Sequence, residues 1–518
     1  MRRINYLFAT VLIAILFCAC QSKEFNKSEI IEGEYVISNP GDSISPLTKY
    51  IKLNTLLPVK WTSHVVGDYP IYMSIDTFSQ NLQIRVVGLR PATENKVAFK
   101  IETKEGEYFK DTLTIISDSL PAGYPDISIL EDNLSDKDNY FHFADFSMGV
   151  KGKFHTKPFV FDMNGEIRWY MDLSHFKKWA SPIRYTESGT LLLGTGYNIY
   201  EYDLMGNLLK QYNIWPYNPH HEILTLDNGN IIVAVDKVDQ YIRFEENYVV
   251  SKEDFIIEFD TSQNKVVYEW DLRQLLDVDR PFLSGDVKNG DWFHMNAISY
   301  SAEDDCLIVS GKHQGVVKVD RDNNLKWIFA PHRGWGKSGV DGDGFETKSY
   351  LLTAINSKGE AYSDSIQDGF ISGGPEFDWP WSQHATLLRK NGNLMLFDNG
   401  QFRYYEPGPN FSRLVEYEIN EDEKTVEQEW EYGRARGKEL YSAIISDIDL
   451  LENGNVLGTF GFLNQQDKHY ARLIELSYPD NEVEMEVELV FKDLYGNGQM
   501  AWGQIDLLYR SERISFTQ

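Results

Sequence analysis

Two histidines, an asparagine and two serines stand at one register in this chain. Counting seven residues back from the leading residue of five turns (Asn228, Asn391, Asn453, Glu303 and Ser188) reaches His221, His384, Ser446, Asn296 and Ser181. Each turn separates two apolar runs, a hairpin signal at its strongest in Asn-Gly. Each of the five polar residues therefore sits just before the first strand of a hairpin. Other polar residues crowd the same level: His220, His294 two places before Asn296, and Lys312 in Lys312-His313-Gln314. Arg333 opens a segment from Pro331 to Trp379 rich in Gly, Ser and Asp. A loop of that length inside a compact domain is usually functional.

These residue types suit one kind of chemistry best. A neutral imidazole donates or attacks, an asparagine donates, and a lysine supplies fixed charge. A sulfuryl or phosphoryl group, with several non-bridging oxygens, needs such donors in its transition state. Imidazoles also suit Zn, Cu, Fe and Ni. The register holds no carboxylate, however, and Lys312 would repel an ion, so no metal is expected. A serine hydrolase built on Ser446 or Ser181 would lack the strained Gly-x-Ser-x-Gly elbow. The net charge of −28 excludes nucleic acid as a partner and requires a local cationic pocket for any anionic substrate.

The positioning elements are strands. A second recurring unit, a strand, a turn and an aromatic-bearing strand, follows the hairpins. Val319-Asp320-Arg321-Asp322-Asn323-Asn324-Leu325-Lys326-Trp327 is its clearest copy, and Phe161 to Trp169 its first. Six copies occur, five of them with the first hairpin before them; the first has the apolar segment Tyr140 to Val150 in its place. Two hairpins per unit and six units predict an all-β fold, a six-bladed β-propeller over residues 124–518. Residues 32–116 alternate short strands with turns and predict a small N-terminal β-sandwich, with 117–123 as linker. Residues 1–19 carry a basic start and an apolar run and end before Cys20 in Phe17-Cys18-Ala19-Cys20, a lipobox-like signal peptide that predicts a lipid on Cys20 and a polar tether over 21–31. That predicts an exported protein anchored to a membrane, facing the periplasm or the cell surface. Cys306 is then the one remaining cysteine, in an apolar strand, and no disulfide framework is possible.

Four motifs occur in order along the chain: Pro219-His220-His221-Glu222, Trp292-Phe293-His294-Met295-Asn296, Ser310-Gly311-Lys312-His313-Gln314 and Ser382-Gln383-His384. Together they resemble bacterial aryl-sulfate sulfotransferases. The resemblance covers the mature chain and implies transfer of a sulfuryl group from a phenolic sulfate ester to a phenol, without a nucleotide sulfate donor and with no cofactor. It implies a ping-pong reaction through a sulfohistidine on His384, with His221, His294 and Asn296 binding sulfate or assisting the leaving group. Lys312 stands where the family usually has arginine, which keeps the charge and loses the planar fork. Ser442 or Ser446 stands where the family often has threonine. His220 and Arg333 are further binding candidates. An ester hydrolase using the same histidine and a non-catalytic ligand-binding propeller remain alternatives, and a homodimer is left open.

Overall fold

The computed structural model describes residues 23–516 apart from 41–43, 136, 138–139, 281–285, 407–409, 466–467 and 497–500. The expected signal peptide over 1–19, Cys20 and the start of the tether lie outside the described residues. No helix among the described residues is long and apolar enough to cross a membrane.

The described chain is all-β and built of several antiparallel sheets. The N-terminal region is one five-stranded sheet organised by Thr48–Val65. Inward and outward positions largely alternate along this strand, as a period of two demands of a half-buried strand. Its one edge pairs with Tyr72–Val87. Its other edge pairs first with Ile31–Ser38 and then, beyond a register shift, with Glu94–Thr103, which carries Tyr108–Ile116. Hydrogen bonding thus joins all five strands through one long strand that changes partners.

Among the described residues seven further sheets follow: six of four or five strands, and a two-stranded one formed by Tyr241–Phe244 and Asn247–Val250. Sheet I holds Phe141–Val150, Phe159–Asp162 and Ile167–Tyr170; sheet II runs from Ile183–Tyr185 to Leu208–Asn213; sheet III from Tyr217–Thr225 to Lys265–Asp271. Sheet IV runs from Met295–Ser301 to Leu325–Phe329, sheet V from His384–Leu388 to Thr425–Tyr432, and sheet VI from Asp447–Leu450 to Val483–Val490. The hairpin turns lie where the sequence places them. Gly392 at φ +89° and Gly454 at φ +87° occupy the left-handed region that only glycine enters without strain.

Both ends of this region depart from the expectation. Tyr140 to Val150 takes the place of the first hairpin only in part: Phe141–Val150 is one strand of that pair, the second strand of sheet I. Its first strand is Leu507–Ile514, from the C-terminus. Asp126–Asp132, from the opposite end of the chain, adds an outer strand to sheet VI. Sequential reading misses both pairings because they join residues more than three hundred positions apart. The first strands contact one another in series, from Ile183–Tyr185 through those of sheets III, IV, V and VI to Leu507–Ile514.

The N-terminal sheet is fastened to sheets I and II. Arg168, fully buried, donates to Gly88 O, Tyr69 O and Asp162 Oδ2. Ser45 Oγ donates to Leu204 O, and one apolar core runs through both regions.

Candidate active site

His384 opens the first strand of sheet V, and its surroundings fix how it is protonated. The turn after the second strand, Asp398-Asn399-Gly400, does two jobs. Asp398 accepts from the backbone N–H of Trp381 at 2.8 Å and is held by Arg403 and Arg413, so the segment leading into His384 is braced by a buried ion network. Asn399 Nδ2 donates to Ser442 O and Ile445 O, both at 2.8 Å. Its Oδ1 is therefore the atom 2.7 Å from His384 Nδ1. Nδ1 must carry the hydrogen, a conclusion that Ser382 O at 3.2 Å supports. Nε2 is left as a lone pair. Burial, the Lys312 charge and His294 push the His384 imidazole down to about 3, so it is neutral at any physiological pH.

The second cluster is centred on His294. Its ring lies 5.1 Å from that of His221 and 5.3 Å from that of His313. His294 Nδ1 is 2.8 Å from Asp291 Oδ2 and 3.0 Å from Glu253 Oε2. Burial lowers His294 to about 4 even though Asp291 works the other way. His221 is held well below its ordinary value, first by burial and then by His294 and His220. Burial would raise Asp291, but hydrogen bonds from His294 and His313 outweigh it and hold that carboxyl low. Glu253 is raised well above the usual range by burial and by the charges of Asp291 and Asp236. The register itself holds no carboxylate, but Glu253 and Asp291 come up against His294 from segments outside it.

Backbone shape aims these side chains. The pairing register shifts between Pro219 and Ile223, between Met295 and Ala297, between His384 and Leu387, and between Leu508 and Ser511. His221, His294 and Ser446 adopt φ of +49°, +55° and +91°. A bulge bends a strand and re-aims a residue, and non-glycine residues in this region carry strain of about 1–3 kcal/mol each. The strain falls on the residues whose chemistry is at issue.

Tyr509, on the C-terminal strand, joins the ring members. Its ring lies 6.0 Å from that of His221 and 6.4 Å from that of His384. Its hydroxyl donates to Asn296 O, and its carbonyl accepts from Ser446 N–H at 3.2 Å. Asn296 Nδ2 donates to Gln383 O at 2.7 Å, tying sheet IV to the residue before His384. Lys312 N–H donates to His294 O, which anchors the lysine beside the cluster its charge acts on. Both candidate serines are buried, with their hydroxyl oxygens 2.8 Å apart. Ser442 supports Asn399 through its carbonyl, and Ser446 holds the register position. Ser181 precedes its strand as expected and is half-buried.

Arg333 is exposed, and its guanidinium lies over Tyr405 at 4.4 Å and Phe370 at 5.0 Å rather than on a ring residue. In the long segment behind it Trp335, Phe377 and Trp379 are core, while Phe345 and Phe370 are exposed. A further aromatic group lies beside sheet I and the C-terminal segment. Phe154, Trp179 and Trp502 pack together with ring centroids 4.7–6.0 Å apart, and Trp502 is 59 % exposed. Phe154 and Trp179 share an apolar cluster with Tyr509, Ile445 and Phe462, so this aromatic group reaches the ring.

Reading from the sequence missed Asn399, Glu253, Asp291 and Tyr509. Asn399 follows the last apolar strand residue of the hairpin and reads as an ordinary Asp-Asn-Gly turn. Tyr509 could have been found by asking which segment supplies the sixth first strand.

Buried neutral imidazoles, one with its tautomer set by a fixed amide, beside a lysine and at the strained ends of neighbouring strands, suit a site for group transfer to or from an anionic group. The chain belongs to the arylsulfotransferase family and is an enzyme of that class. Residues 100–495 match the arylsulfotransferase family model, and residues 35–117 match that of the arylsulfotransferase Ig-like domain. The chain is 28 % identical to arylsulfate sulfotransferase AssT of Escherichia coli O6:H1 over 86 % of its own length and 88 % of that protein's. It is 29 % identical to the AssT of Lelliottia amnigena over 88 % and 90 %. A solved DUF4623 family protein from Bacteroides eggerthii gives a TM-score of 0.32 at 10 % identity over 86 % of this chain and 90 % of that one, too weak a likeness to bear on the fold.

Proposed function

We propose that this chain moves a sulfuryl group from a phenolic sulfate ester to a phenol by a ping-pong reaction through a sulfohistidine on His384. The observation that carries the reading is the 2.7 Å contact between His384 Nδ1 and an Asn399 whose amide is already committed. It leaves Nε2 as an unprotonated nucleophile. In the first half-reaction Nε2 bonds to sulfur, and the sulfur–oxygen bond breaks with its electron pair leaving on the phenolate. Lys312 and Asn296 hold the sulfuryl oxygens, with Ser446 beside them. Neutral His221 or His294 donates a ring N–H to the departing phenolate oxygen and, in the second half-reaction, takes the proton of the acceptor phenol as base. Splitting one transfer into two lets each half use the same preorganised donors.

Sheets I to VI serve in this reading as the blades of a propeller, with the N-terminal sheet as a separate sandwich domain. Phe154, Trp179 and Trp502 offer a surface for the aryl group. The lipobox-like start fits export and anchoring through Cys20, with the site facing the periplasm or the cell surface. Incubation with an aryl sulfate, with and without added phenol, tests the reaction. Phenol should speed release of the first aryl group and appear as a sulfated product. Release at an unchanged rate with free sulfate as the only product would make the protein a hydrolase.

A further inference from the structure

Behind the ring, His221 shares a pocket with two donors to which the sulfuryl transfer gives no role, His220 and Glu253. His220 and His221 are consecutive on a strand, where side chains normally point to opposite faces. The register shift between Pro219 and Ile223 and the +49° φ of His221 cancel that alternation. The two Nδ1 atoms lie 3.0 Å apart. Glu253 Oε2 lies 3.9 Å from His221 Nδ1, and all three atoms are within 4.8 Å of one another. Two nitrogens and a carboxylate oxygen each ~2.1 Å from a tetrahedral ion would be roughly 3.4 Å apart, inside the span observed. Two histidines and a glutamate with a fourth position open is a composition that zinc accepts.

The surroundings favour a cation. Asp236 Oδ1 accepts the backbone N–H of Glu253 at 2.8 Å, orienting the segment that carries the third donor. Asp291, which with His294 and His313 forms an adjoining group of donors, adds a second carboxylate. Three carboxyl groups thus face the pocket against two cations, Lys312 and Lys252. Carboxylates beside metal-binding imidazoles fix ring orientation and raise ligand basicity.

We propose that His220 Nδ1, His221 Nδ1 and Glu253 Oε2 form a binding site for a divalent transition-metal ion of the Zn2+ or Co2+ kind. The site takes no part in bonding to sulfur, and it stands or falls apart from the sulfuryl-transfer reading because its readout is binding. Occupancy would engage His221, so it would couple metal availability to the state of the ring.

The test uses the untagged mature protein, stripped with a chelator and titrated with Co2+. One equivalent should bind with the intense visible absorption of a four-coordinate ion, and one equivalent of Zn2+ should abolish it. His220→Gln and Glu253→Gln should each weaken binding at least tenfold, while His64→Gln, in the N-terminal sheet, should leave it unchanged. Equal binding by all three variants would overturn the assignment. Should a variant fail to fold by circular dichroism, the unaltered protein decides alone: absent or weak bands, as six oxygen ligands give, refute the site.

Discussion

The first strands of these sheets carry two opposite environments a few residues apart. At one end His384, His221, His294, Asn296 and Ser446 form a group of buried or half-buried uncharged residues, three of them, His221, His294 and Ser446, in the strained left-handed region. One step further along, Arg184 donates to both oxygens of Glu222 and to Glu512, and Arg510 also donates to Glu222. A cavity of about 610 Å³ opens at this charged end, lined by Arg184, Ile298, Thr386 and Asp447. Burial keeps the imidazoles of the first end uncharged. The other end is a set of paired charges, and pairing gives structure without leaving a free nucleophile. Variants that exchange these properties test whether the division holds.

The largest effect belongs to His384. His384→Asn should lower transfer by at least about 10⁴-fold, since removing a nucleophile removes both half-reactions. Next is the residue behind it. Asn399→Ala should lower kcat about 10²-fold, because a misdirected ring loses its attack geometry, and should cost about 1–3 kcal/mol of stability by leaving two carbonyls without a donor. Steady-state kinetics and denaturant unfolding measure both. At the charged end the pattern should invert. Glu222→Gln should cost roughly 3–5 kcal/mol, the penalty of leaving buried arginines short of a partner, with a smaller loss of kcat than Asn399→Ala. A kcat loss as large as that of His384→Asn would erase the distinction between the two ends.

Stability should respond to pH with opposite signs at the two ends. His384 has a folded value of about 3 against 6.5 when exposed. The unfolded chain therefore binds its proton first, and stability is lost as pH falls from 6.5 toward 3, by about 1.4 kcal/mol per unit. Asp447 and Asp145, raised chiefly by burial to about 6 and about 7, hold protons that the unfolded chain has released. Their share of stability is lost as pH rises from 3.8 through those values. Thermal unfolding of His384→Asn should flatten the acid slope, and Asp447→Asn should flatten the other. The smallest effect is expected at the rim. Trp502→Ala should raise KM for an aryl sulfate about 3- to 10-fold with kcat nearly unchanged, the scale of one aromatic contact.

The sequence made the strands and the ring level legible because hairpin turns mark register. Asn391-Gly392 locates His384, and the same spacing finds His221 and Asn296. What it hid came from long range. Leu507–Ile514 pairs with Phe141–Val150 across most of the chain, so Tyr509 and Arg510 carry no local mark of their place. Glu253 and Asp291 lie in connecting segments whose polar composition reads as solvent-facing. Spacing also could not rank the ring members; the resemblance singled out His384, and the Asn399 contact that supports that reading is visible only once its amide is seen bonded to Ser442 and Ile445.

Intact-protein mass spectrometry after rapid quenching with an aryl sulfate tests the central claim most directly. A mass gain of one sulfuryl group, mapped to His384, lost in His384→Asn and discharged on adding phenol, is the predicted result. Turnover without any such adduct, or an adduct that persists in His384→Asn, would contradict it.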